Sequence, residues 1–330
     1  MLYVTTRNKT DSYTDYRTLV EDMAPNGGFF IPFRVPQLDE NQLRCIKEKT
    51  FGQTVADILN LFYAGRITSW DVDCNIGKMP VKIVATDHRL LLAKLWDNSC
   101  GSYDYLRSKI YQKLCDENKV EITQWASIAI RISVLFGVYN ILQKNEIKSF
   151  DICVNTGDFS DPMAAWYARY MGLPIRKIIC TCDDSSPVWD FIHRGEFNTS
   201  LVNAVPGIER LICAELGFEY VQKYLDACKS KGTYYVPADL LPVLNKDIFV
   251  SVVGKERADS VVGAFYAANK TILDPCTAFS YGGLQDYRAK TGESIPTVLL
   301  WDFSPVQFSD SIQKATGLTL QDIKKHIDKY

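Results

Sequence analysis

Four aspartates, Asp97, Asp104, Asp158 and Asp161, are the residues best placed to act as a group. Two come from each of two loops, and carboxylates converging from two loops supply the oxygen ligands that a hard cation takes. Loop carboxylates kept apart in water are the simpler account, and no metal site is assigned. The three histidines, His88, His193 and His326, offer no catalytic pair. His88 follows Asp87 between two strand-like runs, but nothing designates the serine or cysteine it would activate. Of ten cysteines, Cys180 and Cys182 are the one close pair. With no second pair and few histidines, a zinc site is unsupported, and they read as thiols in or beside a buried strand. No Gly-x-Ser-x-Gly elbow, P-loop, His-Glu-x-x-His or Gly-x-Gly-x-x-Gly fingerprint is present.

Composition narrows the field further. The 330 residues are 47% hydrophobic and 23% charged, enough to bury a substantial core, in one large domain or two ordinary ones. A net charge of −2 without runs of like charge excludes an electrostatic footprint for nucleic acid or acidic membranes. The longest apolar stretch, Trp125 to Leu142, is broken by Arg131, Ser133 and Asn140 and falls short of the ~20 residues a membrane span needs. The opening Met1 to Arg7 lacks the basic-then-apolar plan of a secretory signal. Scattered cysteines then point to a reduced, cytoplasmic setting.

Several elements must position these residues. Asn26-Gly27 makes a turn before an apolar run, and helical spacing marks Leu38 to Lys49 and Thr54 to Ala64. Val81 to Thr86 and Leu90 to Trp96 predict a hairpin. Residues 103–115 read as a helix, and Asp116 to Lys119 separate it from a second one carrying Trp125, Ile128, Ile132, Leu135 and Phe136 on a buried stripe. Phe150 to Val154 is a strand, residues 156–160 a glycine loop, and Asp161-Pro162 the N-cap and first turn of a helix stopped by Gly172. Strand Ile175 to Thr181 and helix Ser186 to His193 follow. Later come strand Ile248 to Val252, helix Ala258 to Asn269, strand Thr297 to Trp301, and helices opened by Ser304-Pro305 and Thr319. Strand, helix and strand at this spacing predict an α/β protein with a parallel sheet.

Four segments in order carry a resemblance to threonine synthase. Tyr3-Val-Thr-Thr-Arg7 with Met23-Ala-Pro-Asn-Gly-Gly28 resembles that family's Tyr-x-Ser-Thr-Arg-Gly and Leu-Ala-Pro-Asp-Gly-Gly. Asn155-Thr-Gly-Asp-Phe-Ser-Asp161, with the helix ending Met171-Gly-Leu-Pro174, is similar to Pro-Thr-Gly-Asn-Phe-Gly-Asp and Met-Gly-Leu-Pro. Asp274-Pro-Cys-Thr-Ala278 resembles Asp-Pro-His-Thr-Ala, and Phe303-Ser-Pro-Val-Gln-Phe308 resembles Ala-His-Pro-Ala-Lys-Phe. The resemblance implies the three-layer parallel-sheet lobe of the tryptophan-synthase-β-like, fold-type-II vitamin-B6 enzymes over 81–330, with a small N-terminal cap over 1–80.

The same resemblance locates the departures. The family's Schiff-base lysine falls on Asp104, and a carboxylate cannot form an imine. Thr156, Gly157, Asp158, Phe159, Ser160 and Asp161 would form the cradle for the pyridoxal phosphate, but Asp158 opposes its dianion and Ser160 crowds the backbone approach. Thr277 is kept where the cofactor ring is expected, while Cys276 replaces a histidine, and Asp183 and Ser185 replace two asparagines. Lys94 and Lys109 flank Asp104 and read as exposed lysines. The mobile small lobe, with its loop for the substrate phosphate, is largely missing: about nine residues fill the gap, too few for any domain.

The leading expectation is therefore a non-catalytic pseudoenzyme, a binding or regulatory subunit without a cofactor. If the family activity is retained, the chain is a divergent pyridoxal-phosphate-dependent lyase forming threonine from O-phosphohomoserine, alone or completed by a second chain. A third reading is a small-molecule sensor using the cleft at the strand ends. Loss of the lobe would expose an apolar face where a protein partner or a second copy could pack.

Overall fold

The computed structural model describes residues 1–76, 82–87, 89–97, 102–115, 121–198 and 205–328. His88 and the linker Asp116 to Lys119 lie outside the described residues.

The chain opens with a small sheet in the order β2-β1-β3, made of β1 (Leu2–Thr5), β2 (Asn8–Thr14) and β3 (Phe30–Pro32), with the short helix α1 (Asp15–Val20) between the last two. The Asn26 turn delivers β3 to β1: Asn26 Oδ1 accepts from the Gly28 N–H at 2.8 Å, and Gly27 takes a φ of +74°. Helices α2 (Glu40–Cys45), α3 (Phe51–Phe62) and α4 (Ser69–Ile76) follow. Asp39 and Thr50 close capping boxes at the starts of α2 and α3, satisfying N–H groups that the helix cannot.

The main sheet has six strands in the order β10-β7-β6-β11-β5-β4. The predicted hairpin forms its edge, β4 (Lys82–Asp87) antiparallel to β5 (Leu90–Lys94). Helices α5 (Tyr103–Cys115) and α6 (Gln124–Lys144) come next, with no element between them among the described residues. Then follow β6 (Phe150–Asn155), α7 (Ser160–Tyr170), β7 (Ile175–Cys182), α8 (Val188–Arg194), β8 (Glu196–Asn198), α9 (Pro206–Glu215), α10 (Phe218–Lys231), β9 (Thr233–Tyr235) and α11 (Leu241–Asn245). The last elements are β10 (Ile248–Val252), α12 (Lys255–Asn269), α13 (Pro275–Thr291), β11 (Thr297–Trp301), α14 (Ser309–Thr316) and α15 (Leu320–Ile327). Five of the six main strands run parallel, the pairing that strand–helix–strand connections produce.

Strand alternation builds two cores. Leu91, Ala93, Ile152, Val154, Ile178, Cys180 and Val298 face a layer of α6 and α7 that is continuous with the cap. Leu90, Leu92, Trp96, Cys153, Ile179, Leu299 and Trp301 face α12, α13 and the terminal helices. The result is a three-layer α/β fold. Trp125, wholly buried, joins cap to sheet: its ring meets Tyr3, Phe62 and Tyr167 edge-on at 5.7, 5.9 and 5.4 Å. Helix α6, at 21 residues, is long and apolar enough to cross a membrane, yet its apolar side chains are packed within this core.

Two local expectations change. Asp161 is not an N-cap, because α7 starts at Ser160 with Phe159 as N-cap in the left-handed region at φ +68°. The Asp161 carboxylate turns to Arg131 instead. Lys94 is not an exposed lysine: it lies on β5 at 3% exposure, with Nζ 4.2 Å from the centre of the Trp96 ring. The segment from β8 to α11 carried no expectation at all.

Candidate functional site

The C-terminal ends of β6 and β11 open into a cleft of about 910 Å³, roofed by cap residues and walled by α5 and α6. Open α/β sheets place ligands at this edge, since loops from different strands converge there.

Arg131 forms the floor. It rises from the middle of α6 with its side chain 5% exposed and fills its donor positions from two directions. Nε donates to Asp161 Oδ1 at 2.9 Å, Nη1 to Asp302 Oδ1 at 3.0 Å, and Nη2 to Asp302 Oδ2 at 2.7 Å. The guanidinium carbon lies 3.5 Å from the centre of the Tyr103 ring, a cation–π contact in a water-poor setting. Burial works against the Arg131 charge, but Asp161 and Asp302 more than offset it and hold the group protonated beyond its ordinary range. Burial pushes the Tyr103 phenol well above its ordinary value, and among the described residues its hydroxyl has no hydrogen-bond partner.

Asp104 sits in the first turn of α5, where a carboxylate favours the helix dipole, and pairs with Arg107 at 2.8 Å. It is exposed, as an i,i+3 surface pair would be. On the opposite side, the loop from Thr156 to Ser160 turns through Gly157 at φ +45° and Phe159 at φ +68°. Asp158 accepts from the Ser160 N–H at 3.0 Å, from Ser160 Oγ at 2.8 Å, and from Gln124 Nε2 at 2.9 Å.

Of the residues named from sequence, Asp104, Thr156, Gly157, Asp158, Ser160 and Asp161 line the cleft. Phe159 is buried behind the loop. Thr277 is buried too: its hydroxyl donates to Asp274 at 2.5 Å and also lies 3.4 Å from the Leu300 carbonyl. Asp97 does not join the other aspartates, since it lines a separate cavity with Ser304 and Lys324. Among the described residues no group of three or more His, Cys, Asp or Glu is placed to hold a metal ion. Cys276 reaches the cleft, but burial, with Asp274 and Asp302 nearby, pushes its thiol up to about 11, which leaves it a poor nucleophile at neutral pH.

Sequence reasoning missed Asp22, Glu121, Asp302 and the floor residue Arg131 as site residues. The signal for Arg131 was visible, because an arginine inside an otherwise apolar helical stripe must find buried carboxylates. With Asp104, Asp158 and Asp161 the cleft carries six carboxylates against the two guanidiniums of Arg107 and Arg131, and no lysine is among its described lining residues. Such an arrangement can orient and bind, and it favours cations over anions.

Comparison with known proteins agrees with this architecture. Residues 2–78 match the family model described as "Threonine synthase N terminus". Threonine synthase of Saccharomyces cerevisiae is 23% identical over 237 residues, covering 63% of this chain and 46% of that protein. Threonine synthase of Pseudomonas aeruginosa is 23% identical over 235 residues, covering 65% and 50%. Human threonine synthase-like 1 is 26% identical over 142 residues, covering 39% and 19%. The chain thus spans half or less of the length of these curated relatives. Among solved structures, pyridoxal-phosphate-bound threonine synthase from Brucella melitensis superposes with a TM-score of 0.83 at 16% identity, covering 96% of this chain and 92% of that one. Yeast threonine synthase gives 0.79 at 15% identity, covering 99% and 94%. The chain therefore has the threonine synthase fold, a fold-type-II pyridoxal-phosphate-enzyme architecture, and opens with a segment that matches the family's N-terminal model.

Proposed function

We propose that this chain is a non-catalytic threonine-synthase-like protein that serves as a binding or regulatory subunit. The observation that carries this reading is the internal pairing of the cleft. Asp104 is held by Arg107, Asp161 and Asp302 by Arg131, and Asp158 by Ser160 and Gln124.

Pyridoxal phosphate is a poor fit for these residues. Its aldehyde needs an amine, and no lysine is among the described lining residues. Lys94 is directed at Trp96, and Lys109 Nζ lies 5.6 Å from the Tyr105 ring. The Ser160 N–H that opens α7 already holds a carboxylate. The Thr277 hydroxyl is committed to Asp274.

The comparisons favour a second reading, a pyridoxal-phosphate-dependent lyase of threonine formation, because the named relatives are threonine synthases and one structure holds the cofactor. One experiment separates the two. The purified chain is mixed with pyridoxal phosphate, its visible spectrum recorded, and the sample reduced with borohydride and mapped by peptide mass. The non-catalytic reading expects no specific lysine adduct and no threonine from O-phosphohomoserine. A stoichiometric adduct on one lysine, or threonine release, would establish the lyase in its place.

A further inference from the structure

The loop before α7 has the form of an anion site. Gly157 and Phe159 both lie at positive φ, and the turn leaves the Ser160 N–H, at the start of an 11-residue helix whose end adds partial positive charge, donating to a carboxylate. A separate feature also calls for an anion. Arg210 on α9 is completely buried, and among the described residues it donates to neutral acceptors, the Phe30 carbonyl at 3.3 Å and Gln124 Oε1. Its Nη2 has no hydrogen-bond partner among the described residues. A buried guanidinium without an ion pair is costly unless an anion stands close by.

Gln124 relays that requirement to the loop. Arginine only donates and a carboxylate only accepts, so the amide is fixed with Oε1 towards Arg210 and Nε2 towards Asp158, 2.9 Å away. The Ser160 N–H and hydroxyl complete a set of three donors drawn from two elements. We propose that these groups form an oxyanion site whose resident anion is the chain's own Asp158, and that Asp158 is the residue that makes the cleft reject phosphate-bearing ligands. The Asp158 side chain lies at the open cleft, so its removal leaves the donors accessible to an outside anion. This inference shares the cleft with the reading above but does not depend on whether the chain is catalytic.

Inorganic phosphate tests it, titrated by calorimetry into the full chain at constant ionic strength, with the Gly157 and Ser160 amide resonances reporting location. Asp158→Ala is expected to bind phosphate at least about tenfold more tightly than the wild type. Asp158→Asn should gain less, because asparagine keeps an acceptor for the Ser160 N–H while removing the charge. Adding Gln124→Ala to Asp158→Ala should abolish the gain. Folded Asp158→Ala that binds no better than wild type overturns the proposal. So does wild-type protein that already binds phosphate with a shift at Ser160. If Asp158→Ala does not fold, Asp158→Asn against wild type decides on the same terms. Phosphate has no aldehyde, so a lysine adduct with pyridoxal phosphate would sink the non-catalytic reading and leave this assignment standing.

Discussion

The cap seam and the cleft floor each bury a charged hub with two partners, but in opposite polarity. At the seam, Glu209 on α9 is 3% exposed and takes the Arg7 side chain in a two-pronged pair at 3.0 and 2.9 Å, with Thr6 donating to it as well. In the cleft, Arg131 is buried as deeply and takes Asp161 and Asp302. The seam balances, one anion against one cation, and its surroundings are tight: a Cβ on Gly28 would meet Thr5 Oγ1 at 2.7 Å. The cleft floor is left with an excess negative charge and open space above it, and a Cβ on Gly157 would meet nothing within 4 Å. The lesson is that the cap motifs are held by packing and charge together, whereas the cleft residues are held mainly by each other. Substitution there costs the fold less, provided charge stays paired.

The sharpest way to break that contrast is Arg131→Met. It removes a buried cation, strands two partly buried carboxylates and loses the contact with the Tyr103 ring, and should cost about 3–5 kcal/mol in denaturant unfolding near neutral pH. Burial raises the Asp161 carboxyl, and Arg131 is the group that pulls it down, so without Arg131 it would rise further. Its contribution is then favourable at low pH and lost as pH rises, so the deficit should shrink on acidification. A small loss that is flat in pH would show that the triad does not hold the cleft.

Glu209→Ala should cost somewhat less, about 2–4 kcal/mol, because Arg7 retains access to water while Thr6 loses its acceptor. Equal stability of this variant and wild type in urea titrations would remove the seam as an anchor.

Asp274, the N-cap of α13, adds a pH signature beneath the cleft. Burial pushes its carboxyl up to about 6, against the Thr277 and Cys276 hydrogen bonds that pull it down. Because this folded pKa is raised, the group favours folding at low pH and that contribution fades as pH rises to about 6. Asp274→Asn keeps the cap and removes the titration. Its stability relative to wild type should improve by about 1–3 kcal/mol between pH 4 and 7, a trend that parallel thermal melts would reveal or exclude.

Two glycines give the smallest and most direct comparison. Gly28→Ala should lose about 1–3 kcal/mol through the clash with Thr5, and Gly157→Ala about 1 kcal/mol through its positive φ alone. The reverse order in melting temperatures would invert the contrast between seam and cleft.

Much of the sheet was legible because its strands read as apolar runs between glycine or aspartate turns. β6, β7, β10 and β11 all lie close to their expected positions. The segment from β8 to α11 was not, since α10 is mostly polar and buries little beyond Val221 and Tyr224. In the site, the loop before α7 and Asp104 could be placed through the resemblance of their segments to threonine synthase. Asp302 and Glu209 could not, because a carboxylate's partner 171 or 203 residues away leaves no local pattern. The direction of Thr277 is set by its near neighbour Asp274 at 2.5 Å, with the Leu300 carbonyl farther off at 3.4 Å.

Helix α9 carries a mechanical implication. Within little more than one turn, Gly207 presses on the Phe159 backbone, where a Cβ would come within 2.6 Å of its carbonyl oxygen, Glu209 grips the cap, and Arg210 steadies Gln124. A helix turn moves as a unit, so these three contacts share one lever. Loosening the cap should let the loop from Thr156 to Ser160 drift at the far end, and the amides of both regions should exchange with solvent in a single cooperative opening.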